Sequence, residues 1–193
     1  MSALLAIRIR RPKNARTCRN LFEWTAFGCC PAPTAGYTDA MYVLKPGVKR
    51  DPERRWALPD RIFFGYGACH ILAGTYLELS ALPGFRAERI VPADSFAGNH
   101  IYVTDGEIAF DYHGYSNRDH LLSHHRKGWS RLQPGWDCTI AMVDFDLLDT
   151  SELNRRKMLG PDQYLHDPVL RARRFITRVD HRAAAAKAAG SIV

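Results

Sequence analysis

The sequence lacks the cysteine spacings of the common metal and redox motifs. Its 193 residues contain five cysteines, and no two of them form the CxxC pair of zinc ribbons and thioredoxin-like proteins. Cys29 and Cys30 are adjacent, a spacing that rarely permits a relaxed disulfide bond between them. This odd, irregular set predicts reduced thiols in a cytoplasmic protein, with no metal or other cofactor.

Long apolar runs are also missing, and the longest is far shorter than the roughly 20 residues that a membrane-spanning helix needs. The apolar stretch from Ala3 to Ile7 is too short for the core of a signal peptide, and positive charge follows it instead of preceding it. A hydrophobic content of 46% is nevertheless ample for a packed core. We therefore expect a soluble, unexported protein with no membrane span.

The formal net charge of +7 is concentrated at the two ends of the chain. The basic residues involved are Arg8, Arg10, Arg11, Lys13, Arg16 and Arg19 near the start, and Arg171, Arg173, Arg174, Arg178, Arg182 and Lys187 near the finish. Solvated or protein-facing basic ends explain this distribution best, and nucleic-acid binding through them is the less favoured alternative.

Proline, glycine and alanine divide the chain into three parts. Residues 1–60 are interrupted by repeated proline and glycine, which predicts an irregular N-terminal segment packed on the core. Residues 61–180 carry the regular patterns and are predicted as an α+β domain with the features of a catalytic domain. Residues 181–193 contain the alanine tract 183–189 and are predicted as a flexible C-terminal tail.

Hydrophobic patterns and turn signals predict the elements of the central part. Strands are expected at 61–66, 86–91, 100–103, 107–112 and 136–145, and helices at 69–80 and 117–127. Asp105-Gly106 predicts a hairpin between two of the strands. Ser151 is expected to cap a helix that ends before Gly160, and Asp167-Pro168 to start a long helix that runs to Gly190. This order is typical of an α+β fold.

Cys69 lies where a reactive cysteine would be expected, after a glycine-containing turn and at the start of a helix. The N-terminus of a helix favours a thiolate, because its amide groups carry partial positive charge. His100 begins a strand and Asp111 ends the next one across the hairpin, so an imidazole base and a carboxylate that orients it can meet. We therefore expect Cys69 to act as nucleophile, His100 as base and Asp111 as orienting carboxylate.

Other residues offer alternatives to these assignments. Asp105 is the rival of Asp111, and His70 points about 100° away from Cys69 around the helix, which makes it the weaker base. His120 and His124 have the spacing of a zinc-binding pair, although no HExxH motif is present and a solvated polar helix is favoured. The residues that flank His100, Asn99 and Tyr102, are candidates for an oxyanion donor or a pocket wall, against ordinary sheet packing.

The segment Gly67-x-Cys69-x-x-x-Ala73 resembles the nucleophile motif of the transglutaminase-like branch of the papain-like cysteine hydrolases. His100-Ile101-Tyr102 is similar to the histidine strand of that branch, and Asp111 to its aspartate on the next strand. The resemblance covers residues 61–113. It departs from the family at Tyr102, where tryptophan is common, and at Tyr112, where proline often follows the aspartate.

This resemblance implies a papain-like α+β fold, in which the nucleophile begins a helix packed against an antiparallel sheet. It also implies attack on an amide bond of a protein or peptide through a thioester intermediate, as in peptidases, deamidases and transglutaminases. The alternative hypothesis is a non-catalytic binding protein on the same fold that uses its basic ends. A reactive thiol at Cys69 distinguishes the enzyme from the binding protein.

Overall fold

The computed structural model describes residues 44–93 and 95–190. The chain divides into two units, Met1–Tyr37 and Thr38–Val193, and the described residues belong to the second. The predicted irregular segment 1–60 therefore lies largely outside the described residues, as do the basic residues near the start of the chain. Its described part contains a short 3-10 turn at Val48–Arg50 and one helical segment.

The described part of the chain is an α+β structure with seven α-helices and five strands. The helices are α1 (Pro52–Trp56), α2 (Asp60–Gly65), α3 (Cys69–Leu79), α4 (Arg118–Leu132), α5 (Thr150–Arg155), α6 (Pro168–Ile176) and α7 (His181–Ala189). The strands are β1 (Arg86–Pro92), β2 (His100–Thr104), β3 (Ile108–Asp111), β4 (Gly114–Asn117) and β5 (Cys138–Met142). They form one antiparallel sheet in the order β4-β3-β2-β1-β5.

Two apolar layers cover the two faces of this sheet. Helix α3 is buried along most of its length and packs with Val103 and Phe110 in the larger core. On the opposite face, Tyr102 and Ala109 pack with Leu121 of α4 in a smaller core. Because successive residues of a strand point to opposite faces, β2 and β3 contribute side chains to both layers. The central sheet is thus held between helices on either side.

The predicted strand at 61–66 is wrong, because α2 occupies these residues. Its neighbouring residues Phe63 and Phe64 are both buried. A short apolar run has too little periodicity to separate a buried strand from a buried helix. Asp60 in the first turn, directly after Pro59, favours the helix, since acidic side chains stabilise a helix N-terminus.

The predicted long helix from Asp167 to Gly190 is wrong as a single element, because α6 ends at Ile176 and α7 begins at His181. The side chain of Asp180 accepts a hydrogen bond from the amide of Ala183 and so caps a second helix. Asp149, not Ser151, caps α5 by accepting from the amide of Glu152. The strand predicted at 136–145 is limited to the five residues of β5, and α4 extends beyond 127 to Leu132.

The segment predicted as a flexible tail contains a packed helix. Nδ1 of His181 at the start of α7 lies 2.8 Å from the hydroxyl oxygen of Tyr115 in β4, and that oxygen lies 2.7 Å from the hydroxyl of Tyr76 in α3. Ala188 near the other end of α7 is buried. The alanine tract offers little area for burial. The two ends of α7 nevertheless pack against the fold, which the composition of the tract does not indicate.

Several of the basic residues near the end of the chain take part in ion pairs within the fold. Arg171 and Arg178 both pair with Asp60, and Arg173 pairs with Glu78. Arg171 also donates to two backbone carbonyls, which makes it part of the packing between α6 and the segment before α2. Among the described residues, no helix has the length and apolar character to cross a membrane.

Candidate functional site

Cys69 is the first residue of α3 and follows a constrained turn. Gly67 has a φ of +150°, a backbone conformation that residues with side chains rarely adopt. The carbonyl oxygen of Gly67 accepts a hydrogen bond of 2.9 Å from the hydroxyl of Tyr164, which fixes the turn. Ala68 is the N-cap and has no polar side-chain atom to satisfy the amides of the first turn. The partial positive charge of the helix N-terminus is therefore available beside the thiol.

His100 and Asp111 lie at the same end of the β2–β3 hairpin. Thr104 pairs with Ala109, so the register places His100 and Asp111 on the same sheet face. His100 Nε2 lies 3.1 Å from Asp111 Oδ2, and both side chains are almost wholly buried. The contact expected between these two residues is present, at a distance typical of a hydrogen bond.

Both carboxylate oxygens of Asp111 accept hydrogen bonds. Oδ2 accepts from the ring of His100, and Oδ1 accepts from the backbone amide of His113 at 2.7 Å. Burial alone would raise the pKa of Asp111, but its hydrogen bonds with His100 and His113 and their positive charge hold it well below its usual range. Asp111 therefore remains a carboxylate and fixes the proton of His100 on Nε2.

The ring of His100 lies beside the thiol of Cys69, and each group shifts the pKa of the other. Burial alone would raise the pKa of Cys69, but His100 and then His70 outweigh it and hold the pKa well below its usual value. Burial opposes protonation of His100, yet its bonds to Asp111 and Cys69 raise its pKa to about 10. The favoured state is thus a thiolate beside an imidazolium, which is the reactive form of a cysteine nucleophile.

His70, which the helical rotation predicted to be the weaker base, also contributes to the low pKa of the Cys69 thiol. Its ring is buried and its Nε2 donates a 2.8 Å hydrogen bond to the carbonyl oxygen of Leu159. Sequence spacing could not indicate the bond to Leu159, because Leu159 is 89 residues away in the chain.

A further histidine supports the ring of His100. His125 of α4 stacks on His100 with the ring centroids 5.7 Å apart and the planes inclined by 15°. Its Nε2 donates a hydrogen bond of 2.7 Å to the carbonyl oxygen of Gly98. Burial, reinforced by the charge of His100, lowers the pKa of His125 to about 4, so this ring is neutral at physiological pH. The neutral ring restricts the orientation of His100 without competing for its proton.

The structure separates the remaining candidates from the thiol. Asp105 accepts hydrogen bonds from the amides of Glu107 and Ile108, so it is a turn residue instead of the orienting carboxylate. The hydroxyl of Tyr102 donates to a carboxylate in β1, and the side-chain oxygen of Asn99 accepts from Arg89, so neither is aimed at Cys69 as an oxyanion donor. Among the described residues, no group of three or more potential ligands could hold a metal ion, and this includes the predicted pair His120 and His124.

Comparisons of the chain with protein-family models, with curated proteins and with solved structures found no match. The geometry of the residues around Cys69 is therefore the basis for the assignment of a function.

Proposed function

We propose that the protein is a cysteine-dependent hydrolase or acyltransferase that acts on an amide bond of a protein or peptide. Cys69 is the nucleophile, His100 the base and acid, and Asp111 the carboxylate that orients His100. The observation that carries this proposal is the sequence of a half-buried thiol, a buried imidazole and a buried carboxylate, located at a helix N-terminus. Such an arrangement supplies activation, proton transfer and charge stabilisation together.

The first half of the reaction forms a thioester. Asp111 is bonded to Nε2 of His100, which leaves Nδ1 to take the thiol proton of Cys69. The sulfur attacks the carbonyl carbon, and the oxygen that gains the electron pair receives a hydrogen bond from the backbone amide of Cys69. His100 then donates its proton to the amide nitrogen, the C–N bond breaks and an amine leaves.

The second half releases the acyl group. His100, now neutral, takes a proton from water or from an acceptor amine, and the resulting nucleophile attacks the thioester carbonyl. The C–S bond breaks, the thiolate of Cys69 returns and the imidazolium of His100 stands beside it again. Hydrolysis and acyl transfer differ only in the nucleophile of this half, and this site serves both.

The proposal extends to the fold, for which the transglutaminase-like branch of the papain-like hydrolases is the best candidate. Cys69 at the start of a buried helix, with His100 and Asp111 on adjacent antiparallel strands, fits that arrangement. Two local features are particular to this chain. The short helix α2 precedes the nucleophile, and tyrosine follows the aspartate at residues 111–112.

Turnover of p-nitrophenyl acetate tests the proposal, because this ester delivers an acetyl group without a requirement for substrate recognition. We expect a burst of p-nitrophenol, an acetyl thioester on Cys69 in peptide mass spectra, and steady release of acetate. Added hydroxylamine should accelerate release by intercepting the thioester. An acetyl group on Cys138, or on Cys69 without turnover, would contradict the proposal.

The same experiment separates the enzyme from the alternative, a binding protein that uses its basic ends. A binding protein has no need of a thiolate, so Cys69 in it would acetylate no faster than an ordinary thiol. The ion pairs of Arg171, Arg173 and Arg178 already use part of the C-terminal basic charge within the fold. The structure therefore contains a specific observation for cysteine chemistry and none of equal weight for binding through these arginines.

A further inference from the structure

We propose that Gln133, the residue at which α4 ends, is a positioning residue for His100. This inference rests on the proposed function and adds to it a residue outside the predicted Cys-His-Asp set. Gln133 forms two hydrogen bonds with the backbone of Ala97, which lies 36 residues before it in the chain. Ala97 belongs to residues 96–99, the segment that leads into His100 and is here called the entry segment.

The entry segment lies beyond the end of the sheet. Strand β2 begins at His100, and the register between β1 and β2 ends at the pair of Ile90 and His100. Backbone N–H and C=O groups that leave a ladder need other hydrogen-bond partners. In the entry segment, side chains of α4 and of the turn after it supply these partners.

Ala97 is bonded at both of its backbone groups. Oε1 of Gln133 accepts from the amide of Ala97 at 3.0 Å, and Nε2 of Gln133 donates to the carbonyl oxygen of Ala97 at 3.3 Å. The amide of Ala97 can only donate and its carbonyl can only accept, so the orientation of the glutamine amide is fixed. Nε1 of Trp136 donates a second hydrogen bond, of 2.7 Å, to the same carbonyl. The side chain of Gln133 thus takes the place of a neighbouring strand.

The next residue of the entry segment connects this contact to the imidazole of His100. The carbonyl oxygen of Gly98 accepts a 2.7 Å hydrogen bond from Nε2 of His125, whose ring also stacks on that of His100. Gly98 has a φ of +111°, and a Cβ atom at this position would lie 2.8 Å from the ring of Trp129. Helix α4 therefore packs directly on the backbone of the entry segment and on the catalytic ring.

The loss of Gln133 should displace His100 by way of this segment. The carbonyl of Ala97 would keep its bond to Trp136, but the amide of Ala97 would lose the oxygen that accepts from it. His100 must present Nδ1 to the thiol while Nε2 stays 3.1 Å from Asp111. A displacement of about 1 Å can lower the rate of such a reaction by up to about 100-fold.

Substitution of Gln133 by methionine removes both hydrogen bonds and keeps a side chain of similar length and volume. The first measurement is the rate constant of the p-nitrophenol burst, which reports acetylation of Cys69. The second is the pH dependence of iodoacetamide alkylation in tryptic peptide 62–86, in which Cys69 is the only cysteine. His181→Ala is the control for lost stability, because it removes a hydrogen bond to Tyr115 at the start of α7.

We expect Gln133→Met to slow the burst about tenfold, because the base is misplaced. The alkylation profile should move to higher pH, because a displaced imidazolium stabilises the thiolate less. His181→Ala should lower the thermal midpoint and keep the wild-type burst and profile. Wild-type values for Gln133→Met, or equal changes in the two variants, would overturn the inference. An unreactive Cys69 in the wild-type protein would instead overturn the proposed function itself.

Hydrogen exchange in the wild-type protein provides a test that needs no substitution. The amide of Ala97 lies in an exposed segment, so without Gln133 it would exchange freely with solvent. We expect this amide to exchange at least about tenfold more slowly than an unbonded amide, because the side chain of Gln133 holds it. Exchange at the unprotected rate would show that Gln133 does not hold the entry segment, and would overturn the inference even if Gln133→Met fails to fold.

Discussion

Two cysteines of the described chain have opposite surroundings. Cys69 begins a buried helix, and His100 and His70 hold its pKa well below the usual value. Cys138 begins the edge strand β5, opposite Pro92, and burial raises its pKa. Neither forms a disulfide bond, so each is a free thiol.

The comparison shows that burial alone makes a cysteine less reactive. Burial acts on both thiols in the same direction, toward the neutral form. Only at Cys69 do hydrogen bonds and positive charge from His100 and His70 overcome it. At Cys138 the attraction of Arg126 is opposed by the charge of Asp137.

Replacement of each cysteine by serine is expected to give the largest difference in turnover between the two sites. Cys69→Ser should abolish turnover of p-nitrophenyl acetate and leave the fold nearly intact, because oxygen fits in place of sulfur but is much harder to ionise. Cys138→Ser is the matched control and should retain the wild-type rate. Equal rates for wild type and Cys69→Ser, measured by p-nitrophenol release, would remove the distinction between the two cysteines.

Asp111→Asn should lower the rate by roughly three to four orders of magnitude, as loss of the orienting carboxylate does in comparable triads. Both oxygens of Asp111 face donors, and an amide has only one acceptor. The backbone N–H of His113 cannot reverse, so the amide nitrogen faces His100 and favours the tautomer with its proton on Nδ1. That tautomer cannot accept the thiol proton.

A kinetic comparison with wild type at pH 7 checks this prediction, and circular dichroism checks that the variant is folded. Asp105→Asn is the control, because Asp105 is a turn acceptor. A wild-type rate for Asp111→Asn would show that the carboxylate does not orient His100.

The pH profile of turnover should be broad. The acid limb of the profile should lie below the usual pKa of a cysteine, because Cys69 remains a thiolate at lower pH than an ordinary thiol. Activity should fall about tenfold per pH unit above about 10, where His100 loses the proton that the leaving amine needs. Because the pKa of His100 is raised in the folded protein, protonation of His100 stabilises the fold. This stabilisation is complete below about pH 6.5 and is lost as the pH rises through about 10. An alkaline limb near pH 7, measured on a slow amide substrate, would contradict this assignment.

Gly67→Ala should destabilise the protein by about 1–3 kcal/mol, because the backbone at this position lies where side chains are strained. Space is not the cause, since nothing lies within 4 Å of the added carbon. Gly190→Ala is the control, because Gly190 has an ordinary helical conformation. Urea denaturation of both variants checks the prediction, which equal midpoints would contradict.

His181→Ala should lower the free energy of unfolding by about 1–2 kcal/mol, the scale of one partly buried hydrogen bond. It removes one of the two hydrogen-bond partners of the Tyr115 hydroxyl and leaves Cys69 unchanged. The thermal midpoint should therefore fall while the rate of Cys69 alkylation at low temperature stays the same. A loss of alkylation without a fall in the midpoint would connect α7 to the site instead of to stability.

The sequence indicates the local parts of the site well. Asp105-Gly106 specifies the hairpin, and a tight hairpin brings His100 and Asp111 to one end of adjacent strands. Gly67 and the apolar run after Cys69 specify the turn and the helix. These features depend on residues close together in the chain, so their patterns are visible without the structure.

The parts that were missed depend on contacts distant in sequence. His70 is held by Leu159, 89 residues away, whose carbonyl oxygen accepts a hydrogen bond from Nε2 of the ring. His125 reaches His100 because α4 crosses the same sheet face. The apolar run at 61–66 suits a strand or a helix until tertiary packing decides between them.

The most direct test of the account is the pH–rate profile of iodoacetamide alkylation at Cys69 and Cys138 within the same protein molecules. Tryptic peptides 62–86 and 132–155 each contain one cysteine, so mass spectrometry follows the two thiols side by side. We expect rapid labelling of Cys69 well below pH 8 and labelling of Cys138 only above the ordinary thiol pKa. Two superimposable profiles, or faster labelling of Cys138 at low pH, would contradict it.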